Sequence, residues 1–258
     1  MELSGSPRIS VSAWPEAEQE SIAHVLHLEI QLGNHIEQFE AALGLYDHCS
    51  AQEDAQHARL SLVTDGRERI AFIRGLMSSP SKYWPHIALR DSIMTVYHFA
   101  STLEGIRKSF KDAPMFRAAV DHEKMRQAGK AFSAGVPQAR EARHAVSHSA
   151  ELTATRAATV QNAASGTFTA GPVVSQGAQN VMLVNVRSGR TLTFTWDNQI
   201  LTAELSQGTL TTLVTVRELV CEALEPAAIA GSKRWPSTGS VATAGGVPRD
   251  PQSGSDPK

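Results

Sequence analysis

Apolar residues recur at helical spacing along the first half of the chain. Over residues 15–45 and 52–77 they stand three or four positions apart with polar residues between them, which predicts amphipathic helices. Asp65 and Gly66 interrupt the second run and predict a turn between two helical pieces. The clearest apolar stripe lies within residues 84–110 and consists of Leu89, Ile93, Val96, Ala100, Leu103 and Phe110.

The opposite side of this predicted helix is unusually polar. One track consists of Asp91, Thr95, His98 and Thr102. The neighbouring track consists of Arg90, Met94, Tyr97, Ser101 and Glu104. Residues three and four apart lie on the same face of a helix, so each track is either a solvated surface or one wall of a polar site.

Two more helices are predicted before the pattern changes. The first spans residues 117–134 and ends at Gly135 and Pro137, and an Ala-rich helix over residues 138–152 follows this break. Residues 153–178 are small and weakly periodic, which predicts a linker.

Strand patterns begin after this linker. The β-branched runs 180–186, 191–196 and 200–205 are separated by turn residues and predict a three-stranded antiparallel meander. A helix over residues 209–224 is expected to cover that sheet, because so few strands are hardly stable uncovered. From residue 227 onward, Gly, Ser, Thr, Pro and Ala dominate and predict a disordered tail.

These patterns predict a mainly α protein. Its parts are a helical bundle domain (1–152), a linker (153–178), a meander with one helix (179–226) and a disordered tail (227–258). A chain of 258 residues is long enough to bury a sizeable core without disulfides, and its two cysteines are far apart in sequence. We expect two reduced thiols.

Composition limits the partners of the protein. The formal charge is −2, so binding to nucleic acid requires a local basic patch, for which Lys124, Arg126, Lys130, Arg140 and Arg143 are close in sequence. No run of about 18 apolar residues and no signal peptide is evident, so we expect a cytoplasmic protein without a membrane partner.

The segment from Arg143 to His148 carries the most chemistry, because it holds a permanent cation, the imidazoles of His144 and His148, and the hydroxyl of Ser147. Guanidinium forks suit phosphate oxygens, and imidazole exchanges protons near neutral pH. On an ideal helix Arg143 and His148 are separated by roughly 140° and flank a groove. His144, His148 and Glu151 share one face, so a metal site is the alternative.

Arg143 and His148 form an Arg-x4-His motif on a late helix of a predicted all-helical domain. In this the chain resembles the HEPN superfamily. The resemblance spans about residues 84–152 and implies an up-and-down bundle and a metal-independent RNase that acts as a homodimer. The family often has Asn directly after the Arg, whereas this chain has His144. Members tend to carry a facing polar residue on an earlier helix, and Asp91 or His98 is the candidate.

The resemblance implies attack of an RNA 2′-hydroxyl on phosphorus, with a 2′,3′-cyclic phosphate as product. His148 is then the acid or base and Arg143 holds the phosphate, while His144, Ser147, Asp91 and His98 orient the substrate or tune His148. No cofactor is expected. A regulatory protein partner fits the same family pattern.

Three other interpretations remain open. Arg143 and His148 are ordinary helix-surface residues in the first, with Arg143 paired to Glu141 or Glu151. In the second, His144, His148 and Glu151 bind a metal, although the sequence lacks the Glu that follows the first His in zincins. The third is a dimerisation or protein-interaction module without chemistry. Convergence of the Asp91 track on Arg143 and His148 favours an enzyme, and divergence favours the interaction module.

Overall fold

The computed structural model describes residues 5–234, most of which are helical. The α-helices are α1 (Glu16–Leu62), α2 (Gly66–Ser78), α3 (Trp84–Ser109), α4 (Pro114–Ala119), α5 (His122–Gly135), α6 (Ala139–Ser147), α7 (Arg156–Asn162) and α8 (Gln207–Arg234). The strands are β1 (Ala164–Ala170), β2 (Val173–Val181), β3 (Val186–Ser188), β4 (Thr191–Trp196) and β5 (Gln199–Glu204). A mainly helical fold with a small antiparallel sheet and a last helix confirms the predicted fold class.

The first helix is longer than predicted. Residues 46–51 contain no Gly or Pro, so α1 continues through them for 47 residues, a length of about 70 Å at 1.5 Å per residue. The break at Asp65 is confirmed, because its carboxylate accepts hydrogen bonds from the backbone N–H groups of Arg67 and Glu68 and caps α2.

The helices after α1 follow the predicted order, with shifted ends. Helix α3 matches its prediction, whereas residues 117–134 are divided between α4 and α5, and Asp121 caps α5. Helix α6 stops at Ser147 instead of continuing to residue 152. The carbonyl of His148 accepts from the backbone N–H groups of Glu151 and Leu152, which turns the chain out of the α6 axis.

The core lies where α1 packs against α3 and where α8 packs against α5 and α1. Its largest fully buried side chains include Phe39, Phe99 and Phe116. Glu18 on α1 is 5% exposed, and its carboxylate accepts from the N–H groups of Met115 and Phe116 at 3.0 Å each. A carboxylate from α1 thus caps the short helix α4, whose own cap position offers no side-chain acceptor.

The range predicted as a linker is structured. It contains α7, β1 and most of β2. Strands β1 and β2 form an antiparallel hairpin, and Gly171 in its turn has a φ of 58°, in the left-handed region. The predicted strand 180–186 is also wrong: β2 ends at Val181, β3 begins at Val186, and Asn185 between them has a positive φ. Strands β4 and β5 stand close to their predicted places.

The three-stranded sheet has the order β3-β4-β5, and its β4–β5 turn was predictable. Asp197 and Asn198 both have positive φ, as a two-residue type I′ turn requires. The sheet packs against α6 and α3, so the prediction that the last helix covers it is wrong. Leu192, Phe194 and Leu201 belong to the same buried cluster as the helical side chains, so sheet and helices share one core.

Helix α8 passes through Pro226 and includes residues 227–234, which were predicted as tail. Ala227 is fully buried in the core, and this packing explains why the helix continues past the proline. The rest of the predicted disordered tail, residues 235–258, lies outside the described residues. Cys49 and Cys221 are buried free thiols, as expected. Within residues 5–234, no helix combines the length and apolar character needed to cross a membrane.

Candidate functional site

Helix α6 positions the Arg143 motif between the helices and the sheet. It starts after Gln138, which adopts a left-handed φ of 67°, and buries Ala142, Ala145 and Val146. These apolar residues pack α6 against α3 and the sheet. Arg90 of α3 fixes the end of the helix by donating a hydrogen bond to the carbonyl of Val146 at 3.4 Å. Arg143, His144 and Ser147 are left on the more accessible side.

Arg143 lies over an aromatic ring. Its guanidinium carbon is 4.9 Å from the centre of the Tyr97 ring, and Nη1 is 3.4 Å from Nδ1 of His144. Its Nε is buried and has no hydrogen-bond partner among the described residues. The cation–π contact therefore restrains the orientation of the guanidinium, and Arg143 as a whole is half-exposed.

His148 stands just beyond α6, not on it. Its backbone has φ −105° and ψ 20°, so the predicted helical angle between Arg143 and His148 does not apply. The ring of His148 stacks on His144 with centroids 5.9 Å apart, and its Nδ1 is 2.9 Å from a carboxylate oxygen of Glu151. His144 thereby connects Arg143 to a His–carboxylate pair.

The sheet contributes an aromatic ring that the sequence did not reveal. Trp196, at the end of β4, stacks on His144 with centroids 5.7 Å apart and an interplanar angle of 21°. We call the group of Tyr97, Arg143, His144, His148, Glu151 and Trp196 the α6 cluster. Tyr97 was part of a recognised polar track and Glu151 of the metal alternative, but no sequence signal connected Trp196 to the motif.

Three predicted supporting residues have other contacts. Ser147 donates its hydroxyl proton to the carbonyl of Arg143 at 2.8 Å, so that proton stabilises the end of α6. Asp91 accepts from Gln38 of α1 at 3.4 Å, and His98 stacks on His35 of α1 with centroids 6.1 Å apart. The structure thus brings Tyr97 from the neighbouring track to Arg143, while the polar partners of Asp91 and His98 are on α1.

The metal alternative has no geometric support. Among residues 5–234, no three His, Cys, Asp or Glu side chains are arranged to hold a metal ion. The carboxylate of Glu151 instead contacts the ring nitrogen of His148 directly. His144, His148 and Glu151 are therefore better described as hydrogen-bonding and stacking partners than as ligands.

The contact of His35 with His98 predicts a pH-dependent stability. Burial, and then the neighbouring His98, lowers the pKa of His35, while Gln38 opposes the shift. A histidine with a lowered pKa in the folded state stabilises the fold above its unfolded pKa of about 6.5 and loses that contribution as the pH falls through the folded pKa. We expect the free energy of unfolding to fall below pH 6.5 with a slope of at most about 1.4 kcal/mol per pH unit from this group.

Urea unfolding of the wild type and His35→Gln between pH 7.5 and pH 5.5 measures this contribution. The slope is expected to decrease in His35→Gln and to remain in the control His24→Gln, because His24 is exposed on the same helix. Equal slopes in all three proteins would exclude His35 as the titrating group.

Comparisons with known proteins give no match for this chain: no protein-family model, no curated protein and no solved structure matches it. Its function is therefore argued from the geometry of the α6 cluster and the surfaces beside it.

Proposed function

We propose that the α6 cluster binds RNA and cleaves it without a metal ion. The observation that carries this proposal is the continuous set of contacts from Arg143 through His144 to the His148–Glu151 pair. This set combines a phosphate-binding cation with two imidazoles in one half-exposed place. Those are the groups that metal-independent phosphodiester chemistry requires.

Each group has a role in the proposed reaction. When Nδ1 of His148 donates to Glu151, Nε2 is left to accept the proton of a ribose 2′-hydroxyl. The 2′-oxygen then attacks phosphorus, and the bond from phosphorus to the 5′-oxygen breaks. His144 gives a proton to the leaving 5′-oxygen. Arg143, held by Tyr97, stabilises the charge on the phosphate oxygens, and the product carries a 2′,3′-cyclic phosphate.

The aromatic side chains favour single-stranded RNA as the substrate. Trp196 is partly exposed beside His144, and Tyr97 is partly exposed beneath Arg143. Bases that are not paired stack on such rings at about 1–3 kcal/mol each, largely independently of sequence. A paired duplex would not offer its base faces to these rings.

Cleavage of a single-stranded RNA by the purified protein in EDTA tests the proposal. The wild type is expected to cleave and to leave cyclic-phosphate ends, and Arg143→Ala/His148→Ala is expected to be inactive. The control His57→Ala/Arg59→Ala removes the same residue types from an exposed face of α1 and is expected to keep activity. An inactive wild type, or an active Arg143→Ala/His148→Ala protein, contradicts the proposal.

A second candidate function is an interaction module that pairs two copies of the chain. It is favoured by the contacts of Asp91 and His98 with α1, and by large apolar side chains that are exposed around α2. These side chains are Leu62, Ile70, Ile73, Met77, Tyr83, Trp84 and Ile87. Contiguous exposed apolar surface marks interaction sites in many proteins.

Light scattering on the same samples tests this second candidate. A dimer has twice the 27.8 kDa mass of one chain, and Ile70→Glu/Met77→Glu is expected to return it to a monomer. A dimer that does not cleave RNA would favour the interaction module over the RNase. A monomeric wild type would exclude pairing through this surface.

A further inference from the structure

A cavity of about 440 Å³ next to the end of α3 is surrounded by positive charge. Its basic lining residues are Arg107, Lys111, Arg117, His122 and Arg126. Phe110 and Met125, both buried, form its apolar floor. No acidic residue is among the described residues that line it.

Most of these charges have no counter-charge among residues 5–234. Within the described part of the chain, Arg107, Lys111 and Arg117 form no salt bridge, whereas Arg126 pairs with Glu123. Arg107 also lies in the last turn of α3, where a cation is favourable for the helix dipole. Arg117 likewise lies in the last turn of the short helix α4, whereas Lys111 lies between α3 and α4 and belongs to neither helix.

Packing holds this basic surface together. Nη1 of Arg107 lies 3.6 Å from the point where a Cβ on Gly129 would stand, so the missing side chain lets the guanidinium lie close to α5. The ring of His122 meets Phe110 edge-on with centroids 6.3 Å apart, and Phe110 packs on Phe116 in the core. Like charges that line one cavity repel one another, and salt at 0.1 M screens this repulsion only beyond a Debye length of about 10 Å. A bound anion relieves that repulsion.

A second groove continues from this cavity toward α6. It has a volume of about 620 Å³, shares Arg107 and Lys111 with the first cavity, and adds Lys108 and Arg140. Glu104 and Glu141 also line it, and Glu104 binds Lys108 at 2.8 Å and Arg140 at 2.7 Å. The cations therefore outnumber the acids in this groove as well.

The second groove is lined by the first turn of α6, which carries Arg140. Arg140 and Arg143 are three positions apart on α6, so they lie on the same side of the helix about one turn apart. We call Arg117, Lys111, Arg107, Lys108, Arg140 and Arg143 the cationic band. It connects the cavity beside α5 to the place where Tyr97 holds Arg143.

We infer that the cationic band binds the phosphate backbone of single-stranded RNA and leads the strand to the α6 cluster. The inference rests on the proposed function for its choice of RNA, since the rings of Tyr97 and Trp196 at one end suit unpaired bases. The band itself recognises a row of phosphates, because its unpaired cations are exposed and distributed over two connected grooves.

Fluorescence anisotropy with a labelled oligouridine of about 12 nucleotides tests the inference. The variant Arg107→Gln/Lys111→Gln/Arg117→Gln removes three exposed charges. Each phosphate contact contributes about 0.7 to the slope of log K against log salt for a single strand, so the slope is expected to fall by about 2. Loss of the same three contacts is expected to weaken binding by about 100-fold in about 0.1 M salt.

The matched control is Arg59→Gln/Arg67→Gln/Arg69→Gln, which removes equal charge from exposed positions on α1 and α2. Its affinity and slope are expected to stay close to those of the wild type. If both triple variants lose the same affinity for the oligouridine, the loss is an effect of net charge and the inference is overturned. A wild type that binds anionic lipid vesicles but not the oligouridine would overturn it too.

The two proposals fail separately. Arg143→Ala/His148→Ala is expected to keep most of the affinity for the oligouridine while losing cleavage, because most of the band remains. If the wild type binds the oligouridine through the cationic band but never cleaves RNA, the inference about the band is supported and the cleavage proposal is wrong. If cleavage persists unchanged in the Arg107→Gln/Lys111→Gln/Arg117→Gln variant at low RNA concentration, the inference about the cationic band is wrong and the cleavage proposal is supported.

Discussion

Replacing Arg217 with Met is expected to lower the free energy of unfolding by about 3–5 kcal/mol. Arg217 of α8 is 6% exposed and binds Glu29 of α1, which is 2% exposed, at 2.9 Å. Gly33 leaves room for the guanidinium, whose Nε lies 3.4 Å from the position of a Cβ there. Without Arg217, the buried carboxylate of Glu29 loses its cation and keeps the thiol of Cys221, 3.3 Å away. A thiol is a weak donor and carries no compensating charge.

The thiol of Cys221 reports on the same buried carboxylate. Burial and, after it, the negative charge of Glu29 together raise the pKa of Cys221 to about 12. The environment therefore disfavours any second negative charge beside Glu29. It is one more reason to expect a large effect when the positive charge of Arg217 is removed.

Urea unfolding of three variants measures the effect. Glu29→Met/Arg217→Met removes both charges and is expected to recover most of the stability lost in Arg217→Met, because paired removal leaves no buried ion. The control Arg126→Met breaks the exposed pair with Glu123 and is expected to cost at most about 1 kcal/mol. A cost for Arg217→Met as small as that of the control would contradict the account.

This buried pair also shows where sequence patterns stop being informative. The periodicity of α1 and α3 predicts helices because each apolar stripe is a local property of the sequence. The partner of Glu29 is 188 positions away on α8, and the last helix was predicted to cover the sheet. Apolar residues lie on several sides of α8, so the pattern predicts that the helix is buried but does not indicate which element it packs against.

The hairpin within residues 153–178 was missed for a related reason. Its residues are small, and β1 pairs with β2 through two register irregularities, so the alternation that indicates a strand is weak. The β4–β5 turn was found because Asp197 and Asn198 are residues that tolerate positive φ, a purely local requirement.

The candidate site was predictable to the same extent. Arg143, His144 and His148 are adjacent in sequence and were found together. The sequence did not show which of the two polar tracks on α3 faces α6, because both tracks are polar and only packing decides between them. Tyr97 holds Arg143, whereas Asp91 and His98 contact α1. The unpaired cations of the band were missed because Arg107, Lys111 and Arg117 come together through the turn after α3.

Replacing His148 with Ala is expected to lower the single-turnover rate of RNA cleavage by about 10²–10⁴-fold while leaving the affinity for RNA nearly unchanged. His148 is the group that takes the 2′-hydroxyl proton in the proposed reaction, and that transfer stabilises the transition state more than it stabilises the bound substrate. Added imidazole is expected to restore part of the rate in His148→Ala. It has no such effect on a variant that has merely lost its fold.

Glu151→Gln separates the role of the proton acceptor from the role of its positioning partner. The carboxylate lies 2.9 Å from Nδ1 of His148 and is expected to hold the ring and stabilise it once it is protonated, so an amide lowers the rate without abolishing it. Imidazole is not expected to rescue this variant, because His148 still fills its place. A rate for Glu151→Gln equal to that of the wild type would reduce the contact to a surface hydrogen bond, since Glu151 is exposed and its pairing costs little to lose. The comparison of the two variants thus decides whether the His148–Glu151 contact works in catalysis or only terminates α6.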